Sequence, residues 1–331
     1  MPANLTPEYL AAEARYRAAR TDKERLEALR EMLSTIPKHK GTEKLQAEIK
    51  RKIAQLRTAP KKRGPTRSVL DFIEPEGAGQ VVLAGPPNSG KSSLLARLTN
   101  ARPEVADYPF STLRPLPGMM EFEDVQIQLV DLPPLSRGYT EGWVYSHIRN
   151  ADLVLAVLDL GVEDPEGDLL ELLDLLEEER IRLAPDPEEV EGLNGGSGML
   201  IKRGLICGTK LDLPGAKEHL EALAAGANGW GLPIVTVSAA TGEGLEEFRR
   251  AVFEALRIIR IYTKEPGKKP DMDQPYILPR GSTVLDLARA IHQDFARKLR
   301  FARLWGSGRF EGQQVPRDYP LQDRDIVEIH I

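Results

Sequence analysis

The sequence predicts an α/β protein. Its centre is a doubly wound, mostly parallel sheet, with a helical region before it and a small α+β module after it. Three observations carry this expectation. Short, wholly apolar runs alternate with amphipathic helical patterns between residues 79 and 258. Residues up to about 57 show apolar side chains at helical spacing only. From residue 259 a strand-like run, a capped helix and a closing alternating strand follow one another. The expected boundaries are 1–67 for the helical region and basic linker, 68–258 for the sheet domain and 259–331 for the terminal module.

The first region has its own start and stop signals. Thr6 before Pro7 suits an N-cap and a first helical residue. Thr21 with Glu24 makes a capping box, after which Leu26, Ala28, Leu29 and Met32 recur at helical spacing. Ile36 and Pro37 end that helix. Gly41 and Thr42 open another, with Leu45, Ile49, Ile53 and Leu56 on one face. Residues 58–68 are rich in proline and basic side chains and read as a linker or exposed strap.

In the second region the strands are expected at 81–84, 125–130, 153–158, 205–207 and 234–237. Their apolar character suits a parallel sheet covered on both faces. The run from Val125 alternates, as an edge or antiparallel strand would. In the third region Ser282 or Thr283 caps a helix through Val284, Leu287, Ala288 and Ile291, and 326–331 closes as a strand. The proline- and lysine-rich stretch 265–270 reads as the hinge joining this module to the rest.

Composition narrows the class of protein. Of 331 residues, 41% are hydrophobic and 29% charged, the balance of a soluble globular chain long enough for two or three domains. Cys207 is the one cysteine and can form no internal disulfide, which fits a reducing cytoplasm. The first residues lack the basic and apolar parts of a signal peptide, and the apolar runs are too short and too interrupted by charge to span a membrane. A net charge of −5 argues against indiscriminate nucleic-acid binding, yet Lys50, Arg51, Lys52, Arg57, Lys61, Lys62, Arg63 and Arg67 crowd one stretch while 164–191 is acidic. That basic strap has two readings, a phosphate-contacting RNA surface or a solvated helix face and linker.

The strongest chemical signal is Gly85-Pro86-Pro87-Asn88-Ser89-Gly90-Lys91-Ser92, which follows a strand and precedes the helix beginning at Ser93. That is the context a phosphate-binding P-loop requires. Glycines let backbone N–H groups face phosphate oxygens, and the helix N-terminus adds a favourable dipole. Lys91 would neutralise the β- and γ-phosphates and Ser92 would hold Mg²⁺. About twenty residues on come Ser111 and Thr112. A threonine there completes the Mg²⁺ shell only when a γ-phosphate is present, and on its own it would read as a turn hydroxyl. Asp131 ends a strand where a carboxylate behind the metal's direct ligands is expected. Thr209, Lys210 and Asp212 follow another strand. Asp212 can accept hydrogen bonds from guanine N1 and N2, a donor pair adenine lacks, while the Lys210 stem packs along the base. Ser238, Ala239 and Ala240 form a turn whose backbone can reach guanine O6. Each short motif is weak alone. In this order, each at the C-terminal end of a strand, they point to GTP and GDP as ligands.

With these residues in view the chain resembles the Obg-like GTPases, and within them the developmentally regulated GTP-binding proteins. The stretches VADYPFSTLRP at 105–115, QIQLVDLP at 126–133 and ADLVLAVLD at 151–159 carry the likeness. IYTKEPG at 261–267, LPRGSTV at 278–284 and LWG at 304–306 resemble the family's TGS domain, a ubiquitin-like β-grasp fold. KHKGTE at 38–43 is similar to its leading helical segment. The stretch 164–203 is too short for the domain that eukaryotic members insert. The resemblance implies a Ras-like P-loop NTPase domain. It also implies GTP hydrolysis, with Lys91 and Thr112 in catalysis, coupled to ribosome, RNA or translation-factor binding, with the TGS domain as a docking module for partners. It implies a potassium ion held by Asn88, whose other reading is a residue that only stabilises the loop turn. Tyr262, Trp305, Phe310 and Tyr319 are candidates for a partner surface or for the core of the small module.

The chain departs from the family at two positions, Pro134 and Thr209, and from Ras-like enzymes at Leu135, where an apolar residue is usual in the family and does not exclude hydrolysis. The third motif reads Asp131-Leu132-Pro133-Pro134, with proline where a glycine N–H bonds the γ-phosphate. Leu135 stands where Ras-like enzymes place a water-orienting glutamine. Thr209 replaces asparagine, and its shorter hydroxyl would have to tie that loop to the P-loop. Three functions therefore compete: a slow GTPase switch, a guanine-nucleotide sensor with negligible hydrolysis because of Pro134 and Leu135, and a scaffold that uses nucleotide only for stability.

Overall fold

The computed structural model describes residues 73–101, 114–138, 140–188, 198–227 and 229–331, with scattered positions between 9 and 49. The chain divides into two compact units, Met1–Leu70 and Asp71–Ile331. In the first, the described residues are helical, and Tyr9, Ala12, Leu29, Met32 and Ile49 are buried together. Arg15 pairs with Glu31 at 2.6 Å. The expected N-terminal caps, the basic strap and the loop holding Ser111 and Thr112 lie outside the described residues.

The second unit begins with a seven-stranded sheet. Its strands are β1 (Gln80–Ala84), β2 (Leu116–Phe122), β3 (Val125–Asp131), β4 (Leu153–Asp159), β5 (Ile181–Ala184), β6 (Leu200–Thr209) and β7 (Ile234–Thr236). They lie in the order β2-β3-β1-β4-β6-β5, with β7 also on β6. Only the β2–β3 pair is antiparallel. β1 and β4 are buried at every residue because both faces are covered. Helices α1 (Lys91–Leu98) and α5 (Leu245–Leu256) close one face, through Leu94, Leu95, Phe248 and Val252. Helices α2 (Gly142–Asn150), α3 (Pro165–Glu178) and α4 (Ala216–Ala227) close the other, through Val144, Ile148, Leu172 and Leu223. This is the doubly wound arrangement expected.

Two strands escape the sequence pattern. β2 carries Pro117 and Gly118 and lies at the sheet edge, where such residues are tolerated. It turns β3 into an interior strand, so the alternation read at Val125 reflects antiparallel pairing and not an edge. β5 has four residues and pairs only with an N-terminal extension of β6.

A five-stranded sheet follows, β11-β10-β12-β8-β9. Its strands are β8 (Ile258–Thr263), β9 (Asp271–Pro279), β10 (Phe301–Trp305), β11 (Gln313–Val315) and β12 (Asp325–His330). Helices α6 (Val284–Ile291) and the short α7 (Gln293–Lys298) lie between β9 and β10. Thr283 and Asp286 form a reciprocal capping box at α6. Ile259, Ile261, Val284, Leu287, Leu304 and Val327 build the core between sheet and helix. One expectation is corrected here. The stretch 265–270 is not a hinge between modules but the turn from β8 to β9, closed by Lys268 N–H to Glu265 O. The junction is Arg257, a left-handed residue that ends α5 one position before β8. Among the described residues no helix is long and apolar enough to cross a membrane.

Candidate nucleotide site

The parallel strands deliver their C-terminal ends to one edge of the sheet, and the motif residues gather there. β1 ends at Ala84 and the chain turns through Gly85 into the loop before α1. A Cβ on Gly85 would lie 2.2 Å from Val157 O, so only glycine allows this close passage beside β4. Asn88 (φ 60°) and Gly90 (φ 89°) adopt left-handed conformations that curl the loop. Asparagine is among the few side-chain-bearing residues suited to that region.

Lys91 is buried at the first turn of α1. Its Nζ donates to Gly85 O (3.0 Å), Pro86 O (2.7 Å) and Ser89 Oγ (3.2 Å). Burial lowers its pKa to about 8 against the opposing pull of Asp131. One residue on, Ser92 Oγ donates to Asp131 Oδ2 at 2.5 Å. Asp131 is fully buried at the end of β3, and its Oδ1 has no hydrogen-bond partner among the described residues. Burial raises its pKa, opposed by the Ser92 hydrogen bond and the charge of Lys91. A hydroxyl, a carboxylate and an unmet carboxylate oxygen at the mouth of a phosphate loop fit a hard divalent cation. Ser92 could ligate it, with Asp131 orienting that ligand.

The residues expected to read the base stand at the ends of β6 and β7. Thr209 is buried, and its Oγ1 lies 2.7 Å from Ser89 O and 3.0 Å from Leu158 O. The threonine hydroxyl does reach the phosphate loop, as its place in the motif requires. Lys210 is left-handed (φ 59°), and its Nζ meets Asp159 Oδ2 at 2.5 Å. Asp212 Oδ1 accepts from Ser238 Oγ at 2.5 Å. Ser238 is itself fixed, its N–H on Glu243 O and its Oγ taking the Thr241 N–H. Leu211 N–H to Val237 O ties the two loops together. Ala239 and Ala240 occupy the turn directly after Ser238.

The residues after Asp131 behave differently from the water-positioning pattern. Leu135 is buried in the core beside Val144 and Tyr145, and its N–H donates to Gly85 O at 3.1 Å. It fastens the start of this segment to the phosphate loop through backbone and packing. Asp159 is the residue that the sequence motifs miss. It ends β4 in register with Thr209 and faces Lys210. Asp159 closes the stretch ADLVLAVLD at 151–159, but nothing in that stretch points to Lys210, and only the parallel pairing of β4 with β6 brings the two together.

Fold and site together define a GTP-binding protein of the P-loop class carrying a C-terminal β-grasp module. Residues 80–185 match the family described as 50S ribosome-binding GTPase, and residues 259–331 match the TGS domain. The chain is 30% identical to an uncharacterized GTP-binding protein of Methanocaldococcus jannaschii, across 93% of this chain and 92% of that one. It is 27% identical to Developmentally-regulated G-protein 1 of Arabidopsis thaliana, across 92% and 90%. Among solved structures, the YchF GTPase of Schizosaccharomyces pombe superposes with a TM-score of 0.54 at 14% identity, covering 78% of this chain and 99% of that one, which is a likeness of fold. The chain belongs to the developmentally regulated GTP-binding proteins of the Obg-like GTPase family.

Proposed function

We propose that this protein binds GTP and GDP with Mg²⁺ at the sheet edge, hydrolyses GTP slowly, and uses the nucleotide state to set its grip on a ribosomal, RNA or translation-related partner. The observation that carries the reading is the Thr209 hydroxyl on Ser89 O, which holds the base-reading loop against the phosphate loop. Residues Gly85, Pro86, Pro87, Asn88, Ser89, Gly90, Lys91, Ser92 and Ser93 wrap the phosphates. Lys91 exchanges the loop carbonyls for phosphate oxygens. Mg²⁺, when bound, draws charge from the β- and γ-phosphates, with Ser92 and, in the triphosphate state, Thr112 as ligands and Asp131 behind them. Thr209, Lys210, Asp212 and the turn Ser238, Ala239 and Ala240 enclose guanine. Asn88, exposed and left-handed, is assigned to K⁺ beside the phosphates, and turnover equal in potassium and sodium buffers would remove that assignment.

The partner side of the proposal draws on the matching family, whose description names the 50S ribosome. Residues 259–331 are read as the docking module and 1–67 as a helical arm whose basic strap meets RNA phosphates. Phe310, 66% exposed between β10 and β11, suits a docking contact, whereas Tyr262 is buried. A second reading, a sensor with negligible hydrolysis, has its own support. Leu135 lies in the core and cannot orient water, and Pro134 offers no N–H to a γ-phosphate.

Base recognition is tested by nucleotide titration. Asp212→Ala removes two charge-assisted hydrogen bonds to guanine and should weaken GDP binding about 100-fold or more, erasing the preference over ADP. A variant that still prefers GDP would remove Asp212 from the base site.

A further inference from the structure

Asp159 belongs to none of the motifs that define the site, yet the structure commits both of its carboxylate oxygens. Oδ1 accepts the Gly161 N–H at 2.7 Å, a local turn contact that accounts for an aspartate at a strand end. Oδ2 does something else: it receives Lys210 Nζ at 2.5 Å, from a residue 51 positions away in sequence. Asp159 is 12% exposed at its side chain and Lys210 38%. The pair is therefore more protected than a surface ion pair, and it sits on backbone that is already fixed. Asp159 and Thr209 are register partners in the β4–β6 ladder, and Leu160 N–H donates to Thr209 O at 3.1 Å.

Lys210 itself is held in an unusual state. A lysine at φ 59° is disfavoured by its Cβ, and such a conformation persists only where surrounding contacts over-determine it. The Leu213 N–H on Lys210 O holds the backbone side, and Asp159 holds the far end of the side chain. A lysine whose stem must lie flat along a base loses its rotamer freedom on binding unless that freedom is already gone. Fixing the ammonium before the ligand arrives moves that cost out of the binding step.

We infer that Asp159 is a positioning residue for guanine recognition: it pins the Lys210 ammonium so that the lysine stem stands ready as one wall of the base pocket. The inference rests on the proposed nucleotide site, and it adds a residue from a fifth strand end, that of β4, to that site. GTP and GDP share the base, so the effect falls on both alike. Losing the pinned rotamer corresponds to about tenfold in affinity.

The test is a double-mutant cycle read by fluorescent GDP and GTP titration of the full chain. Asp159→Asn keeps an acceptor for Gly161 and removes the charge facing Lys210. Lys210→Met keeps an apolar stem and cannot pair. The expected result is about tenfold weaker GDP and GTP binding for Asp159→Asn. The double variant should bind no more weakly than Lys210→Met alone, because both changes remove one interaction. A purely structural role would make the two losses multiply, and that outcome overturns the inference, as does wild-type affinity in Asp159→Asn. Should Asp159→Asn fail to fold, Asp159→Ser takes its place in the cycle, with the same expected and overturning results. A wild-type protein that binds no guanine nucleotide would sink the nucleotide site itself, whereas a wild type that binds and a cycle that multiplies would sink only the role of Asp159.

Discussion

Arg260 offers the sharpest test of how the TGS domain is joined to the GTPase core. It lies on β8, 3% exposed, and one guanidinium serves several elements. It bonds Glu123 and, at 2.6 Å, Asp124 at the tip of the β2–β3 hairpin, and Asp323 at 2.6 Å in the turn before β12. Its Cζ lies 4.7 Å from the Phe253 ring on α5. Tyr262 adds a hydrogen bond to Asp124, and Arg324 reaches Glu123 at 2.5 Å. Arg260→Met keeps most of the volume and leaves three carboxylates facing one another without their shared cation. Removing one partner of a buried ion pair costs about 3–5 kcal/mol. Glu123, Asp124 and Asp323 are 44%, 26% and 32% exposed at their side chains and can rehydrate, so the expectation falls to about 2–4 kcal/mol. For a unit of this size that is a fall in Tm of about 4–12 °C.

The assay is thermal unfolding of wild type and variant from pH 7 to pH 3. The hydrogen bond from Arg260 holds Glu123 below the usual carboxylate range. For Asp124 and Asp323 burial opposes the charge, but hydrogen bonds outweigh it, from Tyr262 and Arg260 to Asp124 and from the side chain and backbone of Arg260 to Asp323, so their pKa values are also lowered. Depressed carboxylates stabilise the fold above their unfolded pKa of about 4 and lose that contribution as pH falls through the folded value. The gap between the two proteins should therefore be full at pH 7 and shrink below about pH 4. A variant melting within about 1 °C of wild type, or a gap that does not change with pH, would refute the clamp.

Two further expectations concern the nucleotide site. Lys91 is depressed to about 8 by burial, so the nucleotide-free fold gains stability as pH rises from about 8 toward 10.5, where the unfolded chain binds the extra proton. Phosphate oxygens restore the charge, so GDP binding should take up a proton near pH 9 and weaken as pH rises there. Calorimetry in two buffers of different ionisation enthalpy reads that proton directly, and no uptake would contradict the burial argument. Thr209→Val removes the single hydroxyl shared between Ser89 O and Leu158 O and should cost about 1–3 kcal/mol in denaturant unfolding, while Thr209→Ser stays near wild type. Equal stability of the two variants would show that the tie contributes nothing.

What the sequence made legible follows from how locally each feature is encoded. The phosphate loop is contiguous, and its context of apolar strand then helix is visible around it, so the residues from Gly85 to Ser93 are placed by sequence alone. β1 and β4 are read easily because burial on both faces makes them uniformly apolar. β2 is not, because Pro117, Gly118 and a mixed burial pattern erase the signal of an edge strand. β9 is similarly hidden by two acidic residues and two prolines. Lysine and proline at 265–270 suggest a linker between domains, but in the fold they serve a turn inside one. Motif spacing aligns Leu135 with a catalytic position, but its destination in the core depends on α2 packing over it. Asp159 reaches the site only through strand pairing, which no local pattern records.

The central claim, that the site turns over GTP, is tested most directly by measuring phosphate release from GTP with Mg²⁺ and K⁺. The wild type is compared with Lys91→Ala and Pro134→Gly. The account predicts slow release by the wild type and none by Lys91→Ala. A wild type as inert as Lys91→Ala would contradict it. If Pro134→Gly then released phosphate, the protein would be a guanine-nucleotide sensor whose γ-phosphate contact was lost to proline.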